Sequence, residues 1–370
     1  MNRTGSVAHS DGGPVGALGR VFDPRLNGLN LLRLILAAGV IFWHAFPLTG
    51  REIGFWPARQ LLGEIWVDGF FAISGFLIVG SWVSKPRVGR FLTARIARIL
   101  PGFWVCLVVT ALLLAPLGVW LSGGSLPGAY GPDAIAYFFR NSLLYMNQWD
   151  IAGTPALVPY EGVWNGSLWT LFWEFLCYLG VLALGVLQLL KRRWTIPVVF
   201  LLALAAAVAS VSGIENHYVG LAGRFALMFA AGAVLYRFQH RIPVRGWIIG
   251  VAAVVVLAST FLPNYRLVAA IPLAYVLLAC GALIKDERLR MRNDISYGTY
   301  VYAFPVQQIL AGTALVAWSP LLFGVISVVL TIPLAIASWF LVEKPAKRLA
   351  QPRRQPRPAP AVQPAGEQLG

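Results

Sequence analysis

Three residues in two apolar stretches of this chain have the types and spacing to do acid–base chemistry. In the first, Leu29-Asn30-Leu31-Leu32-Arg33 leads to Trp43-His44, so a guanidinium and an imidazole stand eleven positions apart. Eleven helical steps of about 100° return to within about 20° of the same face, roughly 16 Å along the axis. One stripe thus carries a fixed cation at one end and a titratable base at the other. The second stretch, Leu168-Trp169-Thr170-Leu171-Phe172-Trp173-Glu174, supplies a carboxylate. Read as helix from Trp164, ten residues set Glu174 about 15 Å inside, a depth compatible with His44. A carboxylate beside an imidazole holds its tautomer and stabilises the imidazolium, as a general base with an orienting partner requires. The alternative is structural: Arg33 reaches toward headgroups, His44 makes a buried hydrogen bond, and Glu174 is neutral or paired with Arg224.

A basic run follows the second apolar stretch of the chain. Lys85, Arg87, Arg90, Arg95 and Arg98 come with no acid among them, and Arg95 and Arg98 share a helical face at i,i+3. Such a fork suits a polyphosphate, although a basic loop also sets topology or touches anionic lipid. Walker A and GxGxxG loops are absent, which removes ATP hydrolysis and dinucleotide chemistry from consideration. His9, His44, His217 and His240 have no ligand spacing, and Cys106, Cys177 and Cys280 lie singly in apolar runs. Neither a metal site nor a disulfide framework is expected. Ser74, in Ala72-Ile73-Ser74-Gly75-Phe76, does not sit in a nucleophile elbow.

Composition dictates the elements that must hold these residues. Of 370 residues 58% are hydrophobic and only 12% charged, with mean hydropathy +0.69. A soluble domain carries about 25% charge, so a water-exposed surface cannot be built from this chain. Continuous apolar runs predict an all-α, polytopic transmembrane bundle rather than a barrel. A ruler of about 20 residues gives ten spans: 29–48, 62–83, 99–121, 164–190, 195–213, 219–236, 246–262, 267–284, 295–316 and 321–342. Twenty-four of the thirty Lys and Arg fall in segments on one side of that arrangement, which predicts both termini in the cytoplasm. The net charge of +15 therefore reports topology, and no nucleic-acid partner is expected. The expected organisation is a cytoplasmic segment 1–28, a membrane domain 29–346 and a disordered cytoplasmic tail 347–370. The long outer segment 122–163 carries Tyr130, Tyr137, Tyr145, Trp149 and Tyr160, with Trp164 just beyond. Those aromatics suit an interfacial belt or a stacking surface for a sugar.

Taken in order, the motifs resemble acyltransferase family 3, membrane proteins that O-acylate glycans and other acceptors. The resemblance covers roughly residues 25–346. It rests on Arg33 with His44, on Val67-Asp68-Gly69-Phe70-Phe71-Ala72-Ile73-Ser74-Gly75-Phe76-Leu77, and on Arg95 and Arg98 with Pro101. It continues through Ser167 to Glu174, Ile295-Ser296-Tyr297-Gly298-Thr299-Tyr300, and Glu343-Lys344-Pro345. The resemblance implies ten spans and a catalytic pair of His44 and Glu174. It also implies donor binding by Arg33, Arg95 and Arg98, with acyl-CoA as co-substrate and no bound cofactor. Asp68, Ser74, Trp169, Ser296 and Tyr297 would be accessory. The chain departs from many relatives at Ala303, where they have a histidine. The reading is an inner-membrane O-acetyltransferase. It would take acetyl-CoA from the cytoplasm and modify a polysaccharide, lipopolysaccharide or glycolipid on the outer side. The competing class is an exporter whose polar residues line a pathway.

Overall fold

The computed structural model describes residues 16–213 and 216–350. Most of the N-terminal segment, and the tail from 351, lie outside the described residues. The described chain is all-α. Helix α1 spans Leu29–Leu48, α2 Trp56–Ser84, α3 Val88–Val109, and α4 Tyr130–Asn141. Then come α5 Thr170–Val186, α6 Thr195–Val211, α7 His217–Phe238 and α8 Gly246–Ser259. Helix α9 spans Arg266–Leu283, α10 Ser296–Ala311 and α11 Pro320–Ser338.

Six of these, with their continuations, are long and apolar enough to cross a membrane, and α5, α6 and α8 are shorter apolar helices. The chain is a multi-pass membrane protein. Every residue of α10 is buried, and that helix packs against α1, α3 with its continuation, and α11. Helix α4 differs in kind. It buries Tyr130, Ala134, Tyr137 and Asn141 along one stripe and exposes Ile135 and Phe139, with Asp133 in its first turn and Arg140 in its last. Acid at the positive end and base at the negative end complement the helix dipole.

Prolines and small residues set the local shape. Helix α3 continues through a π turn at Thr110–Leu114 into Ala115–Leu121, where Pro116 cannot donate to the turn before it. Helix α11 does the same through Trp339–Glu343 into Lys344–Leu349, which contains Pro345. That last helix runs three residues beyond the expected domain end at 346. Helices α2 and α7 meet backbone to backbone. A Cβ on Gly75 would lie 1.8 Å from the Phe229 carbonyl oxygen, and one on Gly232 would lie 1.8 Å from that of Ala72. Only glycine permits this approach, which fixes the neighbour of the Ser74 segment.

The chain enters α5 in an unexpected way. Residues 164–169 are not helical, and Asn165 is fully buried, with Nδ2 donating to the Val301 carbonyl at 2.8 Å. That carbonyl is free because Pro305, four residues on, has no N–H to give it. The missing helical bond in α10 thus anchors the lead-in to α5.

Candidate active site

A cavity of about 400 Å³ lies among α1, α2, α3, α5 and α10. Helix α1 contributes Arg33, α2 contributes Phe70, Ser74 and Leu77, and α3 contributes Arg95 and Arg98. Helix α5 adds Thr170, Leu171, Glu174 and Tyr178, while Asp294, Ser296, Tyr297 and Tyr300 come from α10 and the residues before it. Lys347, from the helix that follows α11, completes the basic end. Seven of the ten expected site residues therefore converge on one space: Arg33, Ser74, Arg95, Arg98, Glu174, Ser296 and Tyr297.

The cations are not equivalent. Arg98 pairs with Asp294 at 2.7 Å and faces Glu343 at 3.5 Å. Arg33 reaches the same Asp294 oxygen at 3.5 Å. Among the described residues Arg95 has no ion pair; it lies against the rings of Phe91 and Tyr178 at 5.8 and 5.7 Å. The Nε atoms of both Arg33 and Arg95 are buried without a hydrogen-bond partner. Buried donors left unmade are costly, so this end of the cavity is arranged for an anion. Asp294 lies just outside α10. Burial alone would raise its carboxyl, but Arg98 and Arg33 beside it, with Lys347 and the Ser296 hydroxyl, hold it well below the usual carboxylate range.

Farther in, Glu174 Oε1 accepts from Ser74 Oγ at 3.0 Å and from the Tyr178 hydroxyl. Tyr300 donates to the Ser167 carbonyl at 2.8 Å and shares a hydrogen bond with Thr170. Tyr297 donates to the Ile99 carbonyl at 2.8 Å, and Ser296 donates to Asp294. The cavity thus runs from a cationic mouth to a carboxylate ringed by hydroxyls.

His44, Asp68 and Trp169 lie elsewhere. No hydrogen bond or ion pair joins His44 to Glu174; the imidazole stands edge-on to Phe304, with centroids 5.0 Å apart, and its Nδ1 is buried without a partner. The expected depth of Glu174 assumed helix from Trp164. Helix α5 begins at Thr170 instead, so that count does not place the carboxylate beside the imidazole. Asp68 is fully buried in another cluster, with Arg224 Nε at 3.1 Å and with Arg266 and Tyr265. Trp169 packs edge-on against Phe225, on the far side of α5. The aromatics of residues 130–164 divide as well: Tyr137 and Trp164 are core, while Tyr145 and Tyr160 are exposed.

Asp294, Tyr178, Tyr300 and Lys347 were not singled out as site residues in the sequence. Tyr178 stands four residues after Glu174, one turn along the same face, and that spacing was the available signal. Among the described residues no cluster of His, Cys, Asp and Glu is able to hold a metal ion.

A family model described as an acyltransferase domain matches residues 26–340. An O-acetyl transferase from Shigella phage Sf6 is 28% identical over 329 residues, covering 86% of this chain and 95% of the relative. Nodulation protein 10 of Rhizobium leguminosarum bv. viciae is 27% identical over 361 residues, covering 87% and 94%. No solved structure matches.

Proposed function

The chain belongs to the acyltransferase-domain family, and from that premise we propose that it moves an acetyl group from acetyl-CoA to a hydroxyl of a surface glycan or glycolipid. It does so from the cell inner membrane, through ten spans with both termini in the cytoplasm. The observation that carries this reading is the cavity itself. Guanidinium Nε atoms of Arg33 and Arg95 stand unpartnered at its cationic mouth, and Glu174 lines the interior together with Ser74, Thr170, Tyr178 and Tyr300.

Arg95, flanked by Arg33, Arg98 and Lys347, receives the phosphates of the donor. Pantetheine is slender and nearly uncharged, so it enters the interior while the phosphate-rich head stays at the mouth. Ser74, Glu174 and Tyr178 hold the end of that arm. His44 acts as general base toward the acceptor hydroxyl, its free Nδ1 leaving it unengaged until substrate arrives. The hydroxyl oxygen attacks the thioester carbon, the C–S bond breaks, and the proton taken by His44 passes to the departing CoA thiolate. Glu174 and His44 thus serve different substrates rather than forming a resting pair.

Purified protein in sealed vesicles tests the reading. With acetyl-labelled CoA on the cytoplasmic side only, label is expected on an acceptor confined to the opposite side. Labelling that requires both substrates on one face removes the cross-membrane arrangement. Glycan transport without any acyl transfer restores the exporter reading.

A further inference from the structure

Helix α5 is a partition. Thr170, Leu171, Glu174 and Tyr178 face the donor cavity. On its other side Trp173, Leu176, Cys177, Gly180, Val181 and Leu184 recur at helical spacing along an apolar groove of about 250 Å³. Helices α6 and α7 form the opposite wall, where Ala222, Ala226, Ala230 and Ala233 leave the groove open. No charged residue lines it.

At the end of the bundle away from the basic loops, a separate hollow of about 330 Å³ adjoins the groove, and Trp173 belongs to both. Its walls are Tyr145 and Trp149 from the segment after α4, Trp169 and Phe172 from α5 and its lead-in, and His217 and Tyr218 from α7. The Tyr145 and Tyr218 hydroxyls meet at 3.3 Å, and His217 stands edge-on to Tyr218. Indole and phenol faces cover the apolar faces of a sugar ring, while phenol, indole N–H and imidazole groups meet its hydroxyls. The volume falls within the range of small-ligand sites, about 300–1,000 Å³.

We propose that hollow and groove together bind a lipid-linked saccharide, with the sugar among the aromatics and the hydrocarbon chain between α5, α6 and α7. The proposal rests on the acyl-transfer reading for its chemistry, and it names the acceptor class. The argument is one of placement. Trp173 and Glu174 are consecutive residues facing opposite spaces, so a single turn of α5 separates the sugar site from the donor cavity. Trp169 of the lead-in lines the hollow, and the next residue, Thr170, lines the donor cavity. A water-soluble glycan would use the hollow but has no need of a groove without polar walls. A lipid-linked one uses both.

Binding is read by quenching of tryptophan fluorescence in nanodiscs, using dodecyl glucoside and dodecyl galactoside against the matching methyl glycosides. The dodecyl forms are expected to bind at least tenfold more tightly. Gly180→Trp fills the groove, and because a Cβ at Gly180 meets nothing within 4 Å, the new side chain enters open space. It should abolish the advantage of the dodecyl chain while leaving methyl-glycoside binding and the acetyl-CoA KM unchanged. Trp149→Ala with Tyr218→Ala should weaken both glycosides at least fivefold. An undiminished dodecyl advantage in Gly180→Trp means the groove holds bilayer lipid only, and overturns the proposal. Undiminished methyl-glycoside binding in the double variant overturns the sugar site. Because this readout involves no acyl transfer, failure of the acetyltransferase reading would show separately, as intact glycoside binding without turnover.

Discussion

Two ionic clusters lie inside this apolar bundle, and they are built on opposite plans. In the first, Asp68 of α2 is fully buried and takes hydrogen bonds from Arg224, Arg266 and Tyr265, while Arg266 also pairs with Glu64. Two acids meet two bases. The guanidiniums are further covered by the rings of Phe225 and Tyr265. In the second, Arg33, Arg95, Arg98 and Lys347 surround a cavity against Asp294 and the more deeply buried Glu343, and guanidinium nitrogens are left over. An ionisable residue within a membrane span is a functional candidate by default. The contrast refines that rule: burial of charge alone does not mark a site, whereas incomplete pairing beside open volume does.

The largest expected effect tests the acid–base chemistry served by the open cluster. His44→Ala should cut acyl transfer about 10²–10⁴-fold, the usual contribution of a general base. It should barely change the melting temperature, since the ring makes an edge contact with Phe304 and leaves Nδ1 unbonded. Rates and scanning fluorimetry on the same preparation measure both, and retention of more than half the activity would remove His44 from the mechanism. The closed cluster should respond in the reverse way. Asp68→Asn leaves two buried cations short of a charge, and breaking such a pair costs about 3–5 kcal/mol. The protein should melt earlier and accumulate less, yet whatever folds should show an unchanged donor KM. A donor KM shifted as strongly as the melting temperature would merge the two clusters into one site.

How much of this was legible in the sequence follows the same division. The helical stretches were readable, because hydropathy and continuous apolar length report them directly. The ten apolar stretches recur as α1 to α3 and α5 to α11, and Arg33, Ser74, Arg95, Arg98 and Glu174 do share a cavity. Which helices neighbour one another was not readable. Asp68 sits in the same motif as Ser74, but six positions along α2 turn it to α7 and α9. The His44–Glu174 contact was an assumption added to compatible depths, and no hydrogen bond or ion pair joins the two side chains. Asp294 was hidden for another reason: an acid in a basic loop reads as solvated until the fold buries it against Arg98.

A smaller effect separates the cations from one another. Among the described residues Arg95 has no ion pair, so Arg95→Ala removes a cation without breaking a salt bridge. One lost charge-assisted bond to phosphate is worth about 1.5–3 kcal/mol. The acetyl-CoA KM should therefore rise about tenfold or more, with the acceptor KM unchanged. Arg98→Ala instead removes the closest partner of Asp294 and breaks the ion pair with Glu343, so it should lower the melting temperature as well as donor affinity. Equal behaviour of the two variants would erase the distinction between a ligand-directed and a paired arginine.

The smallest effect bears most directly on the comparison. In the closed cluster an acid holds its cations in place; in the open one Asp294 also competes with the donor's phosphates for Arg33 and Arg98. Because those cations hold its carboxyl well below the usual range, Asp294 remains ionised across about pH 5–8. Its contribution to stability is present throughout that window and would be lost only as pH falls below the ordinary carboxylate range. Asp294→Asn keeps the shape and the hydrogen bond with Ser296 while removing the charge. If competition prevails, the donor KM falls a few-fold and its dependence on salt steepens, since two more cations are free to meet phosphate. If positioning prevails, the donor KM rises because Arg33 and Arg98 are no longer aimed at the mouth. The first outcome is expected, because the unpartnered Nε atoms of Arg33 and Arg95 show that the mouth already holds guanidinium nitrogens unmatched by its acids. A rise in donor KM at every salt concentration would instead make Asp294 a counterpart of Asp68, and the two clusters would differ only in whether they enclose a cavity.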